Sequence, residues 1–308
     1  MSNRSRDRPD LSVDIAGLHL RNPTIVASGV LGFSLKILRR AVRLGAGGVI
    51  SPSIGIRSSE GFRAPTVVKV DCGYVTAMGL PNPGASNFAA ELGKLSSDFP
   101  LIINIFASET NEFQRIVSVM EATPAKAYEL NFSSPELDSE SKDVAKRIES
   151  ISEVVRVVRA KTKRPVIVKV SPETEARKIA IAAHDNGADA ISAINSVPAM
   201  AIDIETGYPI LSNKAGGLSG RAVKPIALKY VYEISKNVDV PVIGCGGITT
   251  WQDAVEFFYA GASAIQIGSS VGERGLRVFG NVVDGIRSYL VKKKRASIRE
   301  IVGFAHRR

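Results

Sequence analysis

The stretch VPVIGCGGITTWQDAVEFFYAGASAIQIGSS, residues 240–270, decides how the chain folds. It opens on an apolar run, VPVIGC (240–245), crosses Gly244, Gly246 and Gly247 into TTWQDAVEFFYAG, and ends on a second run, SAIQIGS (263–269). Both runs are continuous rather than alternating, as parallel strands buried on two faces require. Between them the apolar residues recur at intervals of three and four and stop at Gly261, the pattern of an amphipathic helix. Strand, helix and strand in this order form one β/α unit.

The same unit recurs outward along the chain. Strands are expected at TIVAS (24–28), GVISP (48–52), LIINIF (101–106) and AKAYELN (125–131). They continue at PVIVKVS (165–171) and ADAISAIN (188–195), ahead of the two runs already named. Helical patterns such as SLKILRRAVRLG, GASNFAAELGKL and DVAKRIESISEVVRVVRAK lie between them. Eight such pairs in order predict a single closed (β/α)₈ TIM barrel, with a doubly wound sheet as the runner-up. LSVDIAGLHLRNP (11–23) reads as a β-hairpin turning at Gly17, and residues 1–10 as a frayed, flexible tail. The barrel domain is thus expected over 11–308, with insertions at 54–80 and 196–221, after strands 2 and 6.

Bulk properties narrow the function classes. The chain has 308 residues, 44% hydrophobic and 23% charged, ordinary for a globular protein with a sizeable core. No apolar run approaches a bilayer span, and the polar opening MSNRSRDRPD is not a secretory signal, so a cytoplasmic, membrane-free protein is expected. Cys72 and Cys245 form no metal or cluster spacing, and no metal is expected. The net charge of +10 comes from Lys and Arg dispersed among Asp and Glu, without a basic block interleaved with aromatics. That argues against nucleic acid and leaves a field favouring a phosphorylated cofactor or an anionic substrate.

Two glycine-bearing loops follow the last two strands: GCGG (244–247) and GSS (268–270). Barrels commonly bind phosphate in the loops after strands 7 and 8, where glycine lets backbone N–H groups approach and a helix start adds its dipole. Tight turns alone are the bland alternative. KAGGLSGRAVKP (214–225) is a third glycine-rich segment, in which Gly216, Gly217 and Gly220 suit backbone passing close to a ligand or a simple loop. Polar residues also stand within or beside apolar strands: Ser28, Asn104, Asn131, Lys169, Asn195 and Ser196. One alone reads as a satisfied core amide; several on one barrel point to a polar ligand across the strand ends.

GLPNPG (79–84), ELNFSSP (129–135), VIVKVSP (166–172), AINS (193–196), GGLSGRAVKPIALK (216–229) and VIGCGGI (242–248) together resemble the dihydroorotate dehydrogenases, across nearly the whole chain. The resemblance implies an FMN-dependent oxidoreductase that converts dihydroorotate to orotate in pyrimidine biosynthesis. It implies that Gly246, Gly247, Gly268 and Ser269 hold the FMN phosphate and that Gly220 passes near the cofactor. Ala27, Ser28, Gly29, Ser53, Asn104, Asn131 and Ser196 would line the ring and ribityl chain. Lys169 would stabilise the negative charge of reduced flavin. Ser134 falls on the catalytic-base position, where soluble members usually carry cysteine and the membrane class serine; hydride would pass from C6 to flavin N5.

Departures from the family pattern gather at the substrate. Pro52 and Ser53 stand where a lysine and a hydroxyl residue are usual. Thr76 and Glu136 replace substrate-binding asparagines, leaving Asn131 and Asn195, with Ser196 beside them. Threonine offers one hydroxyl where an amide offers donor and acceptor, and an ionised Glu136 repels a substrate carboxylate. A related FMN enzyme acting on another small dihydro-ring, and a flavin-binding barrel without this activity, are the alternatives. The sequence carries no iron–sulfur or second-flavin motif, so reoxidation is expected from a diffusible oxidant or a separate electron-transfer subunit. A homodimer is expected by analogy with soluble relatives.

Overall fold

A computed structural model describes residues 9–132, 144–172 and 175–307. Fourteen strands are present among them: β1 (Val13–Ile15), β2 (Leu18–Leu20), β3 (Thr24–Val26), β4 (Gly48–Ile50), β5 (Val67–Val70), β6 (Gly73–Thr76) and β7 (Leu101–Ile105). The others are β8 (Ala127–Asn131), β9 (Val166–Val170), β10 (Ala190–Ala193), β11 (Val197–Met200), β12 (Ala215–Ser219), β13 (Val242–Cys245) and β14 (Ala262–Ile267). Eight of them close a parallel barrel in the order β10-β13-β14-β3-β4-β7-β8-β9. The predicted (β/α)₈ barrel is therefore the fold, and each barrel strand is followed by a helix.

The reason lies in the strand composition. β7, β8, β9 and β10 are buried at every position, which only a layer covered on both faces allows. The helices supply the outer cover. The helix Trp251–Tyr259, for example, buries Ala254, Val255, Phe257 and Phe258 and starts at a capping box between Thr250 and Asp253. The helix Lys224–Ser235 carries its proline at the first positions, where no N–H is required.

β1 and β2 form the predicted hairpin, with Val13, Ile15, Leu18 and Leu20 buried on one side and Asp14 and His19 on the other. Leu20 packs against Gly48, the first residue of β4, so the hairpin lies at the amino-terminal end of the barrel. At the chain's beginning, Asp10 exchanges backbone hydrogen bonds with Ala296 and Ile298.

The two insertions combine. β5 and β6 from the first pair with β11 and β12 from the second into one antiparallel sheet, order β11-β12-β6-β5. Thr76 stands opposite Gly217, and Val75, Ala77 and Leu211 form a small separate core. Both insertions leave the carboxyl ends of barrel strands, so this sheet belongs to the end where barrel enzymes build their sites. Among the described residues no helix is long and apolar enough to cross a membrane.

Candidate active site

The barrel interior is not wholly apolar. Glu129 on β8, Asn104 on β7, Ser192 on β10 and Gln266 on β14 are essentially inaccessible, and Lys169 on β9 nearly so. β14 and β8 stand opposite each other in the eight-strand order, so a contact between them crosses the barrel axis. Gln266 Nε2 makes that contact, donating to Glu129 Oε2 at 2.6 Å and to Ser192 Oγ at 2.9 Å. Gln266 Oε1 accepts from Lys169 Nζ at 2.9 Å, and Asn104 Nδ2 donates to Glu129 Oε1 at 2.7 Å. Lys169 Nζ also lies 3.9 Å from Glu129 Oε1 and 4.0 Å from Cys245 Sγ.

Burial works against the Lys169 charge, but the neighbouring Cys245 and Glu129 more than offset it and hold the ammonium above the usual lysine range. Burial also pushes the Cys245 thiol up, against the pull of Lys169. Lys169 and Glu129 face each other here as a buried ion pair.

A second layer lies nearer the rim. Asn131, one turn of the pleat beyond Glu129, donates through Nδ2 to Ser53 Oγ at 3.1 Å and accepts from Asn195 Nδ2 at 3.3 Å. Ser53 and Asn131 are buried; Asn195 is half-buried and Ser196 exposed. Ser28 Oγ donates to the carbonyl of Ser51, which ties the loop after β3 to the end of β4. Ala27 N donates to the Ile267 carbonyl, and Gly29 is exposed. Thr76 is half-buried within the inserted sheet, opposite Val67 and Gly217. Ser134 and Glu136 lie outside the described residues.

The glycine loops fit an anion. β13 and β14 are neighbours with Cys245 opposite Gln266, so both loops leave the sheet side by side. Ser270 Oγ bonds the Ile248 carbonyl at 2.9 Å and joins them. The N–H groups of Gly246, Gly247, Gly268 and Ser269 donate to no acceptor among the described residues. Half-buried N–H groups gathered at a helix start are an anion cradle. A Cβ on Gly247 would also come within 2.8 Å of the Lys224 nitrogen, at a φ of +72°, so packing demands glycine there as well. Asp253 organises the loop: Oδ2 accepts from the backbone N–H and hydroxyl of both Thr249 and Thr250, and Oδ1 from Lys224 Nζ at 2.8 Å.

The third glycine segment has a different local cause. A Cβ on Gly217 would meet Ser196, and one on Gly220 the backbone of Gly73, so close strand pairing in the inserted sheet already requires them. Sequence reasoning passed over Glu129, Gln266 and Ser192. The signal was present, a polar residue inside an otherwise apolar strand, as in ELN (129–131) and AIQIG (264–268). A separate hollow of about 600 Å³, lined by Arg40, Arg43, Arg274 and Arg277, contains none of these residues. Among the described residues no group of three or more His, Cys, Asp or Glu is arranged to hold a metal.

Comparison with known proteins agrees with this geometry. A dihydroorotate dehydrogenase family model matches residues 10–290. The chain is 47% identical over 296 residues to a Pyrococcus abyssi protein named dihydroorotate dehydrogenase B (NAD(+)), catalytic subunit, covering 96% of this chain and 99% of that one. It is 46% identical over 298 residues to the Pyrococcus furiosus protein of the same name, covering 96% and 99%. A Methanocella arvoryzae protein, again of that name, is 44% identical over 299 residues, covering 96% and 98%. With a family match over most of its length, and relatives that align from end to end, the chain belongs to the dihydroorotate dehydrogenase family.

Proposed function

We propose that this chain oxidises dihydroorotate to orotate in pyrimidine biosynthesis, using FMN, as the catalytic member of an enzyme whose final acceptor is NAD⁺. Its family makes it an oxidoreductase acting on a CH–CH bond. The observation that carries the reading is the joint arrangement of a buried lysine at the barrel axis and unpartnered backbone N–H groups at the adjoining glycine loops. One feature suits the electron-rich edge of a flavin ring, the other its phosphate, and the buried Asn104 Oδ1, which has no partner among the described residues, awaits a donor.

FMN held there would supply the two-electron acceptor for the hydride leaving substrate C6. Gly246, Gly247, Gly268 and Ser269 bind the phosphate; Ala27, Ser28, Gly29, Ser53, Asn104, Asn131, Ser196 and Gly220 surround the rest. Lys169 neutralises charge that grows during reduction. Ser134 takes the C5 proton, and Thr76, Asn131, Glu136, Asn195 and Ser196 contact the substrate. A serine hydroxyl is a weak base, so a neighbour or water must receive the proton in turn.

The relatives' name, catalytic subunit, supports a separate electron-transfer subunit for this chain as well. A cytoplasmic homodimer is the assembly we propose. The exposed apolar residues Met78, Met200, Ile202 and Tyr208 on the inserted segments provide surface for a subunit contact. The test is to load the purified chain with FMN and supply dihydroorotate with an artificial electron acceptor. Orotate should form without NAD⁺ or a second subunit; a flavin-loaded chain that forms none overturns the reading.

A further inference from the structure

We propose that Glu129 is a positioning residue for the cofactor, fixing the direction of two amides and keeping Lys169 charged, so that it governs FMN affinity and reduction potential through its neighbours. The inference rests on the reading that FMN occupies this site.

The hydrogen-bond directions follow from one anchor. Lys169 has only donors, so Gln266 must turn Oε1 towards it. The Gln266 amide nitrogen then faces the other way, into Glu129 Oε2 and Ser192 Oγ. Glu129 Oε1 accepts from Asn104 Nδ2. With both oxygens accepting, Glu129 acts as an acceptor-only carboxylate. The choice at Asn104 is thereby made: its nitrogen is spent on Glu129, and its oxygen is left buried and unpartnered among the described residues. That oxygen can accept from an N–H on a bound ring, and N3 of an isoalloxazine carries one.

Lys169 and Glu129 have side-chain exposures of 6% and 0%, so neither charge is answered by water. Removing one charge from a desolvated pair leaves the other uncompensated. Without Glu129, Lys169 loses its buried counter-charge, and the field it presents to the flavin changes. A purely structural plug across the barrel would depend on shape alone. A positioning carboxylate depends on charge and on acceptor-only chemistry.

The Glu129→Gln variant keeps the shape and removes both properties; Glu129→Asp keeps the charge and shortens the reach. FMN dissociation constants from apoprotein titration, and midpoint potentials of the bound flavin, separate the cases. Glu129→Gln should weaken FMN at least tenfold and shift the midpoint potential. Glu129→Asp should weaken FMN yet hold the potential near that of the unaltered protein. The proposal is overturned if Glu129→Gln stays within twofold in affinity or leaves the potential unchanged, or if Glu129→Asp shifts the potential while retaining FMN. Should Glu129→Gln fail to fold, the Glu129→Asp potential alone decides. An unaltered chain that binds no FMN fails differently, removing the cofactor reading and this inference together.

Discussion

Glu129, Gln266 and Lys169 meet on the barrel axis almost sealed from solvent, while Thr76, Asn195 and Ser196 stand at the rim, partly or fully exposed. The axial group is charged, and its bonds run across the barrel from strand to opposite strand. The rim group is neutral, and Thr76 is placed by the inserted sheet rather than by a barrel strand. A change on the axis disturbs several partners at once. A change at the rim alters one contact in a half-solvated layer. Of the departures, Pro52 and Thr76 lie outside the barrel strands, Thr76 on β6 of the inserted sheet.

The comparison can be broken most sharply at the reacting atoms. Ser134→Ala should leave FMN bound but slow flavin reduction by dihydroorotate about 10²–10⁴-fold, the usual weight of a general base. Unchanged reduction in stopped flow would remove Ser134 from the chemistry.

On the axis, Lys169→Met strands the Glu129 carboxylate without its counter-charge and should destabilise the protein by about 3–5 kcal/mol in denaturant melts. Adding Glu129→Gln should recover a substantial part of that loss; additive losses would show that the two residues do not act as a pair.

The phosphate loop offers a pH test. Burial works against the Asp253 charge, but Lys224 and the donors of Thr249 and Thr250 more than offset it and hold the carboxyl well below the usual carboxylate range. A lowered folded-state pKa contributes stability above the ordinary value, roughly 4, and that contribution is lost as pH falls towards the folded one. Asp253→Asn should therefore cost about 1–2 kcal/mol at neutral pH and less at pH ~3, with weaker FMN binding. An equal loss at both pH values would contradict the assignment.

The smallest effect is expected at the rim. Thr76→Asn restores an amide, should shift stability by no more than about 0.5 kcal/mol, and should lower KM for dihydroorotate with little change in kcat. A large loss of FMN from this variant would erase the distinction between axis and rim.

How much was legible beforehand follows the same division. Val- and Ile-rich runs such as PVIVKVS and VPVIGC announce strands buried on both faces, and their order with intervening helices gives the barrel. The hairpin at 11–23 was equally readable because its alternation and turn are local. The inserted sheet was not. β6 and β12 are separated by well over a hundred residues, and nothing local in GYVT (73–76) or AGGLS (215–219) names the other as its partner. Of the glycines that read as room for a ligand, Gly216 sits where that distant strand presses close, and Gly217 where Ser196 does. Glu129 was hidden for a related reason. A single glutamate in a strand can face in or out, and only closure of the barrel brings Gln266 across to it.

The most direct test of the whole account is anaerobic mixing of the FMN-loaded chain with dihydroorotate, followed by flavin absorbance and orotate yield. The account predicts that the flavin bleaches and that one orotate forms for each flavin reduced. A flavin that stays oxidised with dihydroorotate, yet is bleached by a chemical reductant, would contradict it.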